Sequence, residues 1–332
     1  MFDFIYIEEA VRHHPRTQAL CQRFAKATRI SCQRYGEVFN RRGQNFRLQK
    51  QRPALILAAK HGRRVLETPV GYGIGGRRNF YFSHMLNCPY DCRYCFLQGM
   101  YRSAHLVVFV NFEDFQRDID HQLAASDEPA YFFSGYDCDS LAFDRVTGFA
   151  SSFLPFFQER PQAWLELRTK SVQIRALLKH QPLANTVVAC SLTPEAVASQ
   201  VEEGTPPVAR RLEALAQLQA QGWPIGLRFD PLIWCDDFEE HYRRLFAQTF
   251  AAVAADQVHS VSLGAFRLPR PFYQTIQRLY PSEPLLAAGL EDNGSMISYS
   301  DQRERQLHDF CAQELRRYIG PERFFPCPNR AA

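Results

Sequence analysis

The chain alternates between short apolar runs and longer stretches in which apolar positions recur every three or four residues. From about Asn79 the apolar runs are Phe80–Phe82, Tyr131–Phe133, Trp164–Leu167, Thr186–Ser191, Ile225–Phe229 and Val258–Leu263. Each has the length of a buried strand. Between them fall amphipathic patterns at Phe112–Ala124, Ser171–Lys179, Val208–Gln221 and Phe238–Ala254. Asn111-Phe-Glu-Asp supplies an N-cap and an acidic first turn to the first of these. A further helix, about Asp301–Ile319, follows a polar loop at Glu291–Ser300. Six strands alternating with helices predict an α/β fold with a parallel sheet and right-handed crossovers. Because the six units span only about 190 residues, an incomplete (β/α)6 barrel is expected rather than a flat doubly wound sheet, with its chemistry on the loops after the C-terminal ends of the strands.

Residues 1–60 read differently: a helix at about Thr17–Thr28, polar connections, and one strand-like run at Ala54–Ala59. The expected division is an N-terminal α/β extension over 1–76, a partial barrel over 77–290, and a C-terminal loop and helix over 291–332. Composition fits a soluble globular protein, with 332 residues of which 46% are hydrophobic and 22% charged. The longest apolar run, Pro53–Ala59, is far short of the ~20 residues that a bilayer requires. The start, Met1-Phe-Asp-Phe-Ile-Tyr-Ile-Glu-Glu, has none of the parts of a signal peptide. Ten cysteines in such a chain point to a reducing cytoplasm and to metal or redox chemistry.

The net charge of +4 conceals an asymmetry. Residues 1–80 carry sixteen Lys/Arg against five Asp/Glu, or +11, leaving the remainder at −7. A basic segment beside an acidic body suits a polyanion such as nucleic acid, although local ion pairs on a solvated surface would read the same way. Gly71-Tyr-Gly73-Ile-Gly-Gly76 satisfies G-x-G-x-x-G, but it precedes a strand and lacks the acidic residue that dinucleotide binding needs about 20 positions later. It is read as a flexible connection into the barrel.

The loop after the first barrel strand is Asn87-Cys88-Pro-Tyr-Asp-Cys92-Arg-Tyr-Cys95-Phe-Leu-Gln98. Its C-x3-C-x2-C spacing can wrap one face of an iron–sulfur cluster. Such clusters are ordinarily held by four thiolates, so three leave one iron free to bind something else. A zinc site with a fourth ligand elsewhere is the competing reading, but structural zinc sites favour paired C-x2-C units and only one occurs here.

On these residues the chain resembles the spore photoproduct lyase family of the radical S-adenosylmethionine superfamily, over nearly its whole length. Cys88-Pro-Tyr-Asp-Cys92-Arg-Tyr94-Cys95-Phe96-Leu97-Gln98 is similar to the family's cluster loop. Phe109-Val-Asn-Phe-Glu113, Leu167-Arg-Thr-Lys170, Glu203-Gly-Thr205, Arg211-Leu-Glu-Ala, Phe266-Arg267 and Arg278-Leu-Tyr280-Pro281 look like further landmarks. The resemblance implies a 4Fe-4S cluster on Cys88, Cys92 and Cys95 whose open iron chelates S-adenosylmethionine. It implies reductive cleavage of that cofactor to a 5′-deoxyadenosyl radical that abstracts hydrogen, in repair of a DNA photolesion. It also implies an external electron donor such as a flavodoxin or ferredoxin. By position, Lys170 resembles the lysine on the cofactor carboxylate and Ser191 a serine near it. Ser134 and Gly135 fall where the methionine amino group is cradled. Asp230 ends the fifth strand, where the family has a small residue.

Two departures stand out. The family returns hydrogen to its product through a cysteine after the second strand and a tyrosine just after the third cluster cysteine. Here Tyr136 occupies the cysteine position, Cys138 a cofactor-contacting one, and Phe96 stands in place of the tyrosine. The candidate hydrogen donors are therefore Tyr94, Tyr136 and Cys138. The family's basic, aromatic hairpin is matched by Leu290-Glu291-Asp292-Asn293-Gly294, whose carboxylates would repel phosphates. These departures favour a second reading, the same scaffold acting on another modified nucleotide, a peptide or a small molecule. A non-catalytic zinc- or cluster-binding nucleic-acid module is a third, but it leaves Lys170 and Ser191 without a role.

Overall fold

The computed structural model describes residues 2–287 and 289–327. Six parallel strands form its larger sheet: β1 (Arg78–Phe82), β2 (Ala130–Ser134), β3 (Ala163–Thr169), β4 (Thr186–Ser191), β5 (Ile225–Leu232) and β6 (Val258–Ala265). They lie side by side in chain order, each hydrogen-bonded to the next. These are the six strands expected from the apolar runs. Two short strands complete the sheet: Val65–Glu67 runs antiparallel to β1, and Phe324–Pro326 parallel to β6.

The Gly-rich segment before β1 shows how the sheet is curled. Tyr72 meets the Phe133 ring edge-on with centroids 5.1 Å apart, and Gly76 lies so close to the Tyr131 ring that a Cβ there would collide. Beside them, Gly75 faces Phe325, 3.4 Å from where its Cβ would stand. Tyr131 and Phe133 belong to β2 and Phe325 to the strand beyond β6, so one short segment touches both flanks of the sheet. Ile74, 4% exposed, packs with Phe133 and Val187. The expected flexible connection is thus a packed element on the concave face, and its glycines admit aromatic rings.

The helices Phe112–Ala124, Val208–Gln221, Phe238–Ala252 and Asp301–Leu315 follow the expected patterns. Ser171–Lys179 shrinks to one turn, Arg175–Leu178. The helix Phe149–Gln158 was not expected, because six of its ten residues are buried and its exposed face, Ser151, Pro155 and Gln158, carries no charge and includes a proline. The stretch Glu291–Ser300 is a hairpin rather than a loop. Leu290–Asn293 and Met296–Tyr299 pair antiparallel around Gly294, whose φ of 83° suits the turn, and Arg267–Pro269 joins them as a third strand.

The N-terminal region holds its own sheet, ordered Thr28–Cys32, Phe4–Glu8, Leu55–Ala58, Leu106–Phe109, Met85–Leu86. Only Leu55–Ala58 was expected, and it alone of the three N-terminal strands is buried at every position. Thr28–Cys32 is an edge strand with one buried residue, so burial left no apolar run to read. The last two strands come from beyond residue 76, while Val65–Glu67, from before it, joins the barrel sheet. A boundary at 76 therefore does not separate the two sheets. Of the expected C-terminal segment, residues 328–332 lie outside the described residues.

Candidate active site

A cavity of about 720 Å³ opens at the C-terminal ends of the parallel strands. Ser134 reaches it from the end of β2, Lys170 from just past β3, Ser191 from the end of β4 and Asp230 from β5. Cys88, Cys92, Tyr94 and Cys95 enter from the loop after β1, and Gly135, Tyr136 and Cys138 from the loop after β2. All eleven residues singled out in the sequence thus line one space. The parallel register dictates this, since every β-to-α loop leaves the sheet on the same side.

The cysteine loop is held by residues far away in sequence. Asn87 turns the chain at φ 67° and donates to the carbonyls of Ser103 and His105 at 2.7 and 2.8 Å. Lys50, on the helix Phe46–Gln51, donates to the carbonyls of Cys88 at 2.9 Å and Tyr90 at 2.7 Å. A two-residue ladder pairs Asp91–Cys92 with Glu202–Glu203, and the Arg93 amide donates to the Val201 carbonyl at 2.8 Å. Arg93 bonds Asp91 and Glu203 and lies 4.3 Å from the Tyr280 ring centroid. The Tyr280 hydroxyl shares its one hydrogen between Asp91 Oδ1 at 3.2 Å and Gln98 Oε1 at 3.3 Å. The landmarks around Glu203, Arg211 and Tyr280 thereby gain one shared purpose, which is to fix the cysteine loop.

Beneath the loop lies a buried network. The Glu202 carboxylate accepts from the Tyr94 hydroxyl and from Arg211, and both side chains of the ion pair are wholly buried. Arg211 also donates to the Thr205 hydroxyl at 2.7 Å and to the carbonyls of Pro206 and Ser191 at 2.8 and 3.1 Å. Burial works against the Glu202 charge, but Lys170 and Arg211 outweigh it and hold its carboxyl below the usual range. Burial works against the Lys170 charge as well, but Cys92 in its thiolate form and Glu202 outweigh it and hold Lys170 above its usual range.

Asp139, one residue past Cys138, is the hub of the β2 loop. It accepts from the Thr169 hydroxyl at 2.6 Å and from the amides of Lys170, Ala142 and Leu141 at 2.7, 2.8 and 3.0 Å. The Ser134 hydroxyl bonds Ser140 and the Glu166 carbonyl, both at 2.8 Å. Gly135, at φ 85°, leaves no room for a Cβ against Ser140. Tyr136 is 37% exposed, with its ring 4.5 Å from Tyr81 and 5.4 Å from Phe96. Cys138 is 6% exposed and packs with the core of the N-terminal sheet.

The donor set discriminates between a cluster and a single ion. Among the described residues no three His, Cys, Asp or Glu side chains converge to hold one metal ion. A closed zinc site demands such convergence, whereas a cluster binds each thiolate to a different iron and lets them stand apart. Burial, with Asp139 adding to it, pushes the Cys88 thiol up to about 12, and burial also raises Cys92 and Cys95. Free thiols there stay protonated at neutral pH, and only a strong Lewis acid would draw them into thiolates. Three cysteines lining a cavity fit the cluster.

An open parallel half-barrel with C-x3-C-x2-C after its first strand defines the class of radical S-adenosylmethionine enzymes. The family model "Spore photoproduct lyase" matches residues 79–300. The chain belongs to the spore photoproduct lyase family. The spore photoproduct lyase of Bacillus subtilis (strain 168) is 26% identical over 202 residues, spanning 60% of this chain and 59% of that protein. The match therefore covers less than two thirds of that relative's length. The spore photoproduct lyase of Geobacillus sp. (strain Y412MC61) is 25% identical over 259 residues, covering 72% of each. A mutant spore photoproduct lyase with bound AdoMet and dinucleoside spore photoproduct superposes with a TM-score of 0.84, at 18% identity and 98% coverage of both chains. At that identity the likeness is one of fold. Among the described residues no helix is long and apolar enough to cross a membrane.

Proposed function

We propose that this chain is a radical S-adenosylmethionine lyase of the spore photoproduct type, repairing a DNA photolesion in the cytoplasm with electrons from a flavodoxin or ferredoxin. The observation that carries the reading is that the three cysteines and every strand-end position matched to the cofactor line one cavity. Cys88, Cys92 and Cys95 would hold a 4Fe-4S cluster. When bound, cluster and S-adenosylmethionine together supply reductive cleavage of the cofactor and abstraction of a substrate hydrogen. Lys170 is held ready for the cofactor carboxylate, its backbone anchored on Asp139 and its ammonium 5.3 Å from the Tyr94 ring centroid. Ser191, Ser134, Gly135, Cys138 and Asp230 complete the cofactor wall. The buried sides of the loop, with Cys92 and Tyr94 each 6% exposed, keep water from the reacting centre.

Tyr136 is the best-placed hydrogen donor, because its phenol stands at the exposed side of the cavity. The Tyr94 O–H is already given to Glu202, and Cys138 faces the N-terminal core as well as the cavity. One observation favours another substrate on the same scaffold: the hairpin presents exposed Glu291 and Asp292, the latter paired with Arg270. Anaerobic reconstitution with iron and sulfide analysis and EPR tests the class, and an unshifted or absent cluster signal on adding S-adenosylmethionine refutes it. Incubation with dinucleotide spore photoproduct tests the substrate. Regeneration of two thymines is expected, and cofactor cleavage without it transfers the chain to the other substrate.

A further inference from the structure

Part of the cavity wall carries charge that the cofactor reading leaves unused. Arg168 stands on β3 two residues before Lys170, so both side chains leave the same face of the strand. Its Nε–H donates to Glu166 at 3.1 Å and its guanidinium lies 5.2 Å from the Tyr72 ring centroid. Among the described residues its two terminal NH2 groups have no hydrogen-bond partner in the protein. Glu166 is itself shared, since Arg228 bonds it at 2.8 Å. Arg267, just after β6, contacts Asp230 at 3.4 Å and donates to the Ala265 carbonyl at 3.0 Å. Three guanidinium groups thus share two carboxylates in direct contact, and the remaining positive charge is offset only from farther away, by Glu304 acting on Arg267. Arg168, Arg267 and Asp230 all line the cavity. Gly264 keeps the place open, because a Cβ there would stand 3.0 Å from both Arg267 Nη1 and Asp230 Oδ1 and 3.1 Å from the Cys327 Cβ.

We propose that Arg168 and Arg267 form an oxyanion subsite that takes the internucleotide phosphodiester of the substrate, in the same cavity as the cofactor. This rests on the nucleic-acid reading above. A phosphodiester brings one negative charge and two free oxygens, which matches the surplus charge and the two planar forks. A carboxylate has the same charge and oxygen count, and the cofactor carries one. The test separates the two sources.

The test is calorimetric binding to the reconstituted holoenzyme with S-adenosylmethionine present. Its probes are thymidylyl-thymidine and the same dinucleoside joined by a neutral linker. The wild type should bind the phosphodiester form roughly 10-fold or more tightly than the neutral one. Arg168→Gln and Arg267→Gln should each abolish most of that preference while leaving affinity for the neutral form and for S-adenosylmethionine unchanged. Arg168→Gln leaves Glu166 paired with Arg228, so the fold should survive. Gly264→Ala supplies a second variant that crowds the arginine without changing any charge, and it should reduce the preference in the same direction. Equal wild-type affinity for the two dinucleosides overturns the proposal, as does equal loss of both in the variants. Weakened S-adenosylmethionine binding also overturns it, because the arginines would then serve the cofactor. If the preference follows the arginines but spore photoproduct is not repaired, the subsite stands and the repair reading falls.

Discussion

Substituting Arg211 by Met isolates the energetics of the network beneath the cysteine loop. Arg211 and Glu202 are ion-paired with both side chains at 0% exposure, and Glu202 also accepts from Tyr94. Removing the guanidinium leaves a carboxylate buried without its main partner, which costs about 3–5 kcal/mol in such settings. Lys170 remains nearby and compensates in part, placing the cost toward the lower figure. That is still a large share of the ~5–15 kcal/mol by which a domain is stable. Arg211→Met/Glu202→Gln removes both charges and should cost less than the sum of the two single changes by about 1–3 kcal/mol. The pH response sharpens the test. In the wild type the Glu202 carboxyl is depressed below its ordinary 4.5, so its stabilisation is present above 4.5 and lost as pH falls below it. In Arg211→Met the Lys170 ammonium and the Tyr94 hydroxyl still oppose burial, but the carboxyl is held down less far. Less of this stabilisation is then left to lose, so the penalty of the substitution should shrink as pH falls below 4.5. Urea unfolding of the anaerobic, reduced protein at pH 4 and pH 8 measures both effects. Additive costs within about 0.5 kcal/mol, or a penalty equal at the two pH values, would refute the argument. Because Glu202 pairs with Cys92 in the short ladder, iron content per chain should fall in the single variant.

His84 is 1% exposed, stacked on Phe149 with centroids 3.9 Å apart, and neither ring nitrogen has a partner. Burial lowers it to about 3, so its contribution to stability is intact above its ordinary 6.5 and is lost at about 1.4 kcal/mol per pH unit as pH falls below that. His84→Phe should flatten this slope and raise stability at pH 7 by about 1–3 kcal/mol; an unchanged slope in pH-dependent urea unfolding contradicts it. Cys88→Ala, Cys92→Ala and Cys95→Ala should each abolish cleavage of S-adenosylmethionine to 5′-deoxyadenosine, and chromatography of the products detects any survivor that would refute the ligand set. Gly99 in the turn after Cys95 lies against the Phe272 carbonyl with no space for a Cβ. Gly99→Ala should lower iron retention after gel filtration, whereas full retention would show that this close approach is dispensable. If the +11 segment over residues 1–80 binds DNA, log affinity should fall linearly with log salt, and a flat response in fluorescence anisotropy removes the segment from the interface.

The parallel strands and the cysteine loop were legible in the sequence for local reasons. Strands covered on both faces are mostly apolar, so β1 to β6 appear as six runs even where Glu166, Arg168 and Arg228 interrupt them. A thiolate cluster fixes its ligand spacing within a few residues, so Cys88, Cys92 and Cys95 carry their meaning in the chain. Once parallel strands are inferred, positions just after their ends must share one rim, and Lys170, Ser191 and Asp230 could be assigned there without coordinates. The edge strand Thr28–Cys32 and the helix Phe149–Gln158 gave weak signals, because partial exposure leaves the strand no apolar run and the helix presents an uncharged outer face interrupted by Pro155.

What the linear order could not give is which distant segments meet. Lys50 holding the Cys88 and Tyr90 carbonyls, Glu202 accepting from Tyr94, and Tyr280 reaching Asp91 are contacts across 38 to 189 residues. No period or spacing encodes them, since their partners are ordinary polar residues whose importance comes only from where the sheet's curvature brings them. The acidic segment at Glu291 read as a loop because its strands are stabilised by pairing with Met296–Tyr299 rather than by apolar content. Gly71–Gly76 matched a phosphate-binding pattern, yet its glycines answer to Tyr131 and Phe325, rings that only the curled sheet brings within reach of one turn. The sequence by itself determined the chemistry of the loop and the number of strands, since both rest on neighbours in the chain. Tertiary structure decided how that loop is held and where the wall's surplus charge stands, since both rest on packing between residues far apart.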